Sequence, residues 1–99
     1  MAAFPLRAVY IKKERAQGEA PVQMLVSVPK KRFKHAVDRN RVKRQVREAF
    51  RQHKELLYEA LAEHEQLLLA FIWLSDAHRS SRDVESRVVG LMQRVAEKL

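Results

Sequence analysis

Apolar residues recur along this chain with two periods, and the switches between them predict five elements. Leu6 to Lys12 is rich in β-forming residues and reads as a strand. Val22, Met24, Val26 and Val28 share one parity while Gln23 and Ser27 take the other, the alternation of a strand with one buried face. Pro29 ends that strand because it has no N–H to give to a ladder. Lys13 to Pro21 is polar, contains Gly18 and reads as a loop, so the two strands are expected to pair as an antiparallel hairpin. From Arg41 to about Glu65 the period lengthens. Val42, Val46, Ala49, Phe50, Leu57 and Leu61 form one stripe of a helix. At ~1.5 Å per residue that helix would be nearly 40 Å long, with Asp38 or Asn40 as its N-cap. Leu67 to Leu74 has no alternation and suits a central strand covered on both faces. Ser80, three residues before Asp83, has the form of a capping box. Val84, Val88, Leu91, Met92, Val95 and Leu99 then mark the buried face of a last helix.

The order β-β-α-β-α predicts an α+β fold, a small two-layer sandwich in which a mixed sheet carries helices. Ninety-nine residues allow one domain, 1–99, with one core. Without cysteine the chain has neither disulfides nor thiolate metal ligands. Met1 to Leu6 lacks the basic lead and apolar run of a secretory signal, and Leu67–Leu74 falls far short of the ~20 residues that span a bilayer. A soluble, cytoplasmic protein is expected.

Charge changes the picture more than composition does. Residues 30–54 hold eleven Lys or Arg (Lys30, Lys31, Arg32, Lys34, Arg39, Arg41, Lys43, Arg44, Arg47, Arg51 and Lys54) against Asp38 and Glu48. That segment is net +9 in a chain of net +8, so the rest is close to neutral. Most charge runs on helices are simply solvated faces. Here the charge is nearly all of one sign, Arg44, Arg47, Arg51 and Lys54 gather on one helical side, and the run extends back into the preceding loop. Arginine forks bind phosphate oxygens in pairs, and a helix N-terminus presents N–H groups to the same anion. A polyanion is the expected partner.

Val26-Ser27-Val28-Pro29-Lys30-Lys31, followed by Ala36-Val37-Asp38-Arg39-Asn40-Arg41-Val42-Lys43-Arg44-Gln45-Val46-Arg47-Glu48-Ala49-Phe50-Arg51, closely resembles the protein subunit family of bacterial ribonuclease P. The pattern R-N-R-x-K-R-x-x-R-E-x-F-R is matched at every fixed position, and the resemblance runs from the first strand to the final helix. It implies a βαβ crossover of the uncommon left-handed sense. It also implies a ribonucleoprotein endonuclease that removes the 5′ leader from precursor tRNA. In such an enzyme the RNA subunit holds the catalytic Mg²⁺ and performs the hydrolysis, while the protein binds ribonuclease P RNA and the leader and holds no metal alone. By position, Arg39, Asn40, Arg41, Lys43, Arg44 and Arg47 match the RNA-contacting motif, with Lys30, Lys31 and Arg51 extending it. Ser27 matches a small hydroxyl position of the leader cleft, and Tyr10 is a candidate either to line that cleft by stacking on a base or simply to pack, the two readings standing equal.

The resemblance also implies a helix bearing aromatic residues, then a short strand, ahead of the segment seen here. This chain opens close to the family's next strand, and it carries Pro29 before the Lys pair and no glycine in the connection to the helix. RNA anchoring is expected to survive without that helix, with leader recognition weakened.

Two other function classes fit the residues less well. A DNA-binding module using residues 41–54 as a recognition helix lacks the short helix that would precede it. A protein-only nuclease would need convergent carboxylates or histidines, and none are evident. His53 and His64 fall by the apolar stripe and read as packing residues, His35 lies in the basic loop, and His78 sits in a turn beside Asp76. Glu48, Glu55 and Glu59 are expected to pair with neighbouring cations, and Trp73 to lie in the core.

Overall fold

The computed structural model describes all residues, 1–99. Four strands, β1 (Ala2–Ala3), β2 (Leu6–Glu14), β3 (Val22–Ser27) and β4 (Glu65–Trp73), alternate with α1 (Ala36–His53), the single turn α2 (Glu55–Tyr58) and α3 (Ser81–Lys98). They form one mixed sheet in the order β1-β2-β4-β3. Leu6–Glu14 runs antiparallel to Trp73–Glu65, and Val22–Ser27 runs parallel to Leu67–Ile72. The connection from β3 through α1 to β4 is therefore a βαβ unit between parallel neighbours.

The expected hairpin does not form. β2 and β3 do run in opposite directions, but β4 lies between them. The loop 15–21, with Gly18 at φ +86°, is long enough to step over a third strand, since two strand spacings are about 10 Å. The strand richest in aliphatic residues takes the central place because there both of its edges are paired.

Two other boundaries move. α1 begins at Ala36 with His35 as an N-cap that gives no side-chain bond, so neither Asp38 nor Asn40 caps it. Asp38 sits instead in the first turn, where its charge suits the helix dipole. The helix also stops at His53, about 27 Å along, and after Lys54 only the turn of α2 follows. β1, too short to leave a periodic signal, pairs with the start of β2 through Ala2 and Ala3.

One face of the sheet is covered by the helices. Leu6 and Ala8, Val22 and Val26, and Leu67, Leu69, Phe71 and Trp73 project into a single apolar cluster with Val42, Val46 and Ala49 of α1 and Val84, Val88, Leu91, Met92 and Val95 of α3. Leu57 of α2 completes it, and Trp73 is a core residue as expected. Ser80 Oγ accepts from the Asp83 N–H at 3.1 Å and caps α3. The return arm of a capping box is missing, because the Asp83 carboxylate is taken by Arg79 and Arg87.

The second face is not covered. From Leu67 onward β4 is buried at alternate positions only, so the expectation that it lies beneath cover on both sides fails. Apolar residues of both parities make a strand look enclosed from its sequence alone; here the odd members face the helices and Leu68, Ala70 and Ile72 the open side. No helix is long and apolar enough to cross a membrane.

Candidate nucleic-acid interface

The cationic segment is built from two pieces, a loop and a helix flank. In the loop, Val28 and Phe33 are buried, and the Arg32 N–H closes a turn on the Pro29 carbonyl at 2.9 Å. With those two residues turned inward, Lys30, Lys31 and Lys34 point into solvent. On α1, burial of Val42, Val46 and Ala49 fixes the rotation of the helix. At ~100° per residue, Asn40, Lys43, Arg44, Arg47 and Arg51 then share one flank, while Arg41 is turned toward the side of Glu48. Lys43 and Arg47 are one turn apart, about 6 Å along the axis.

What decides whether such a cluster can hold a polyanion is how many of its charges are already taken. Lys30, Lys31, Lys34, Arg41, Lys43, Arg44 and Arg47 enter no ion pair and no side-chain hydrogen bond. Two of the sequence candidates differ from the rest. Arg39 is half-buried and its guanidinium donates to the carbonyls of Phe33 and Lys34, both at 2.9 Å. It latches the loop to the helix as well as lending charge. Arg51 sets its fork on Glu48, with Nε to Oε2 at 3.0 Å and Nη2 to Oε1 at 2.6 Å. That hydrogen bonding, with a further donor from Gln52, holds the Glu48 carboxyl below its ordinary value and raises Arg51. Arg51 is thus a partly neutralised end of the stripe, because a carboxylate stands where a phosphate would bind.

The open face of the sheet supplies a second surface. An elongated groove of about 380 Å³ runs along it, floored by Val9, Ile11, Leu25, Leu68 and Ala70 with Gln23 at its edge. Ile11 is 63% exposed and Leu25 60%, high values for large aliphatic side chains. At that edge Glu19 accepts from both Gln23 and Gln66, at 2.9 and 3.1 Å. Ser27 is exposed farther along the same face, three residues before Lys30.

Tyr10 borders this groove by its place on β2, but its ring does not face it. It shares parity with Leu6 and Ala8 and packs against the core on the helix side, so its ring is withdrawn from the face that holds Ser27. The signal for the groove is present in the sequence as Val9, Ile11 and Leu25 at positions opposite in parity to the core; the expectation of a covered sheet hides it.

The histidines divide. His53 Nε2 donates to Glu85 at 3.0 Å between α1 and α3, whereas His64 is exposed rather than packed. His78 stacks on Phe33 and bonds Asp38, joining the loop and helix of the cationic segment, a role invisible in sequence because His78 lies so far along the chain from Phe33 and Asp38. No three His, Cys, Asp or Glu residues converge in a way that would hold a metal ion.

Comparison with known proteins adds ancestry to this geometry. The sequence profile of the family described as Ribonuclease P matches residues 3–95. The ribonuclease P protein component of Porphyromonas gingivalis is 45% identical over 94 residues, covering 94% of this chain and 68% of that protein. The ribonuclease P protein component of Chlorobaculum tepidum is 46% identical over 63 residues, 58% of this chain and 40% of that one. Among solved structures, the ribonuclease P protein from Thermotoga maritima superposes with a TM-score of 0.64 at 21% identity, covering 88% of this chain and 76% of that one, which establishes a shared fold.

Proposed function

Since the chain belongs to the ribonuclease P protein family, we propose that it acts as the RNA-binding subunit of that endoribonuclease, assisting a catalytic RNA in removing the 5′ leader of precursor tRNA in the cytoplasm. The observation that carries this reading is the set of seven unpaired cations on the loop 30–34 and along α1, presented together by one turn and one helix rotation. Each phosphate that such a group neutralises releases condensed counterions, so affinity comes mainly from this surface and falls with salt. Arg44 and Arg47 can each take two phosphate oxygens, and Lys30, Lys31 and Lys43 act as point charges. Asn40 supplies a polar contact among them.

In this reading the protein moves no proton and makes no covalent bond. The hydrolytic chemistry would be supplied by Mg²⁺ that the RNA, not this chain, would hold. The protein's cations screen phosphate repulsion and so lower the Mg²⁺ concentration at which RNA and substrate come together. The groove, with Ser27 exposed farther along the same face, is suited to a single-stranded leader: its apolar floor can take base faces, while the Ser27 hydroxyl and the Lys30–Lys31 pair meet the backbone. A major-groove DNA reader is disfavoured, because α1 follows a strand and buries one face on the sheet and α3.

Precursor tRNA incubated at low Mg²⁺ with protein alone, catalytic RNA alone, and both together tests the assignment. Cleavage is expected only when both are present; cleavage by protein alone overturns it. Affinities for substrates with and without a leader test the groove, which predicts a preference for the leader that Leu25→Asp reduces.

A further inference from the structure

The cationic loop has no ladder or helix of its own. Between Ser27 and Ala36 its one internal backbone bond is the turn from Arg32 to Pro29. Its position is set by ties to other parts of the chain: Arg39 of α1 holds the Phe33 and Lys34 carbonyls, and the other side-chain ties converge on the turn Ser75–Arg79 that joins β4 to α3. Arg32 reaches Asp76 at 3.4 Å. The His78 ring stacks on Phe33 with centroids 4.4 Å apart and planes within 15°. His78 Nε2 donates to Asp38 Oδ1 at 3.0 Å, in the first turn of α1. The other ring nitrogen is enclosed and unpartnered, so the bond to Asp38 is the polar tie that orients the ring. One side chain, remote in sequence, touches both halves of the cluster: the loop through Phe33 and the helix through Asp38.

We infer that His78 is a positioning residue for RNA binding, holding the loop of Lys30, Lys31 and Lys34 at a fixed distance from Lys43, Arg44 and Arg47 on α1. The inference rests on the RNA-binding reading above. Its physical basis is preorganisation: a loop already ordered gives up less conformational freedom when it binds. The Asp38–His78 bond makes a prediction of unusual sign. Asp38 is a carboxylate beside a field of cations, so Coulomb attraction alone says that removing its charge strengthens RNA binding. If Asp38 serves chiefly to hold His78, removing its oxygen weakens binding instead.

Asp38→Asn and Asp38→Ala delete the same charge, but only Asn keeps an oxygen for the His78 N–H. Each variant, with His78→Ala and His78→Phe, is titrated against the cognate ribonuclease P RNA at several salt concentrations. Asp38→Asn is expected to bind at least as tightly as the parent. Asp38→Ala is expected to bind about 10-fold more weakly than Asp38→Asn, equivalent to ~1.4 kcal/mol. His78→Ala should fall by a similar factor, and His78→Phe, which keeps the stack, should recover part of it. None should change the salt slope, since every phosphate-binding cation is retained. On the free protein, tryptic cleavage after Lys30, Lys31 or Lys34 should quicken in His78→Ala at temperatures well below its Tm. Equal binding by the two Asp38 variants, or parental binding by His78→Ala, overturns the inference. Arg44→Ala in the same titration separates the two levels: if it too leaves affinity and slope unchanged, the RNA-binding reading itself fails.

Discussion

α1 and α3 are each 18 residues long, lie on the same sheet and pack against one another, yet they are built to different ends. α3 buries Val84, Val88, Leu91, Met92 and Val95, carries a Ser80 cap, and sets four Lys or Arg against three acids, with Asp83 bridging Arg79 and Arg87. α1 buries only Val42, Val46 and Ala49, has no side-chain cap, and sets six Lys or Arg against two acids. Charge in α3 is mostly balanced within its own turns. In α1 it is left unbalanced on one flank, a self-repulsion that the buried stripe tolerates and a polyanion would relieve. The difference teaches that a stability argument and a binding argument can be made for two neighbouring helices from the same inventory of interactions, by asking which charges are already satisfied.

Truncation in α3 should separate the two helices most sharply. Leu91 is fully buried, and Leu91→Ala should cost ~2–5 kcal/mol of unfolding free energy in urea titrations, while the salt slope of RNA binding by the folded protein stays parental. Phe50, on α1, is only half-buried, so Phe50→Ala should cost less than the ~3–5 kcal/mol of a fully enclosed ring. A loss as large as that of Leu91→Ala would contradict the division of labour. Arg44→Ala or Arg47→Ala should show the reverse pattern. Stability should hold within ~0.5 kcal/mol, while RNA affinity falls and the log–log salt slope flattens by ~0.7 for each single-strand phosphate no longer neutralised. Removing the cap with Ser80→Ala should cost ~1 kcal/mol by the same urea titration and leave RNA binding alone.

The smallest effect concerns pH. Glu48 is held below its ordinary value near 4.5 by hydrogen bonds from Arg51, and Glu65 by the Ala62 N–H and then Lys12. A carboxyl depressed in the folded state adds stability above its unfolded value, and that contribution is lost as pH falls through the folded one. Glu48 is exposed and Glu65 still reaches solvent, so acid unfolding below about pH 4.5 should be only slightly blunted in a Glu48→Gln, Glu65→Gln double variant. Glu48→Gln has a clearer consequence at neutral pH. It frees the Arg51 fork and should steepen the salt slope of RNA binding, extending the cationic flank by one turn.

Local pattern locates nearly every element. The parity of Val22, Met24 and Val26, the stripe Val42–Val46–Ala49 and the Ser80 cap all act over a few residues, where backbone geometry leaves few choices. Strand neighbours escape such a reading because adjacency is a matter of which edges gain most by pairing, and β4 outcompetes the short-range hairpin. The start of α1 departs from the pattern because Asp38, a good capping residue, lies inside the first turn and bonds His78, 40 positions away. Among the candidate site residues, the cations at Lys30, Lys31, Lys43, Arg44 and Arg47 stay unpaired as the charge pattern suggested; Arg51 pairs with Glu48 within its own helix, Arg39 turns back on the loop just before it, and Tyr10 packs on a core that only folding assembles.

By itself the sequence determined where the positive charge lies, that it follows a strand and opens a helix, and which side of that helix is buried, because periodicity and charge are properties of neighbouring residues. The tertiary structure decided that one sheet face stays bare, that the Tyr10 ring turns to the core, and that a histidine from a distant turn meets both the cationic loop and the helix. Those outcomes depend on the meeting of segments far apart along the chain, which is selected by the packing of the whole molecule rather than by any local propensity.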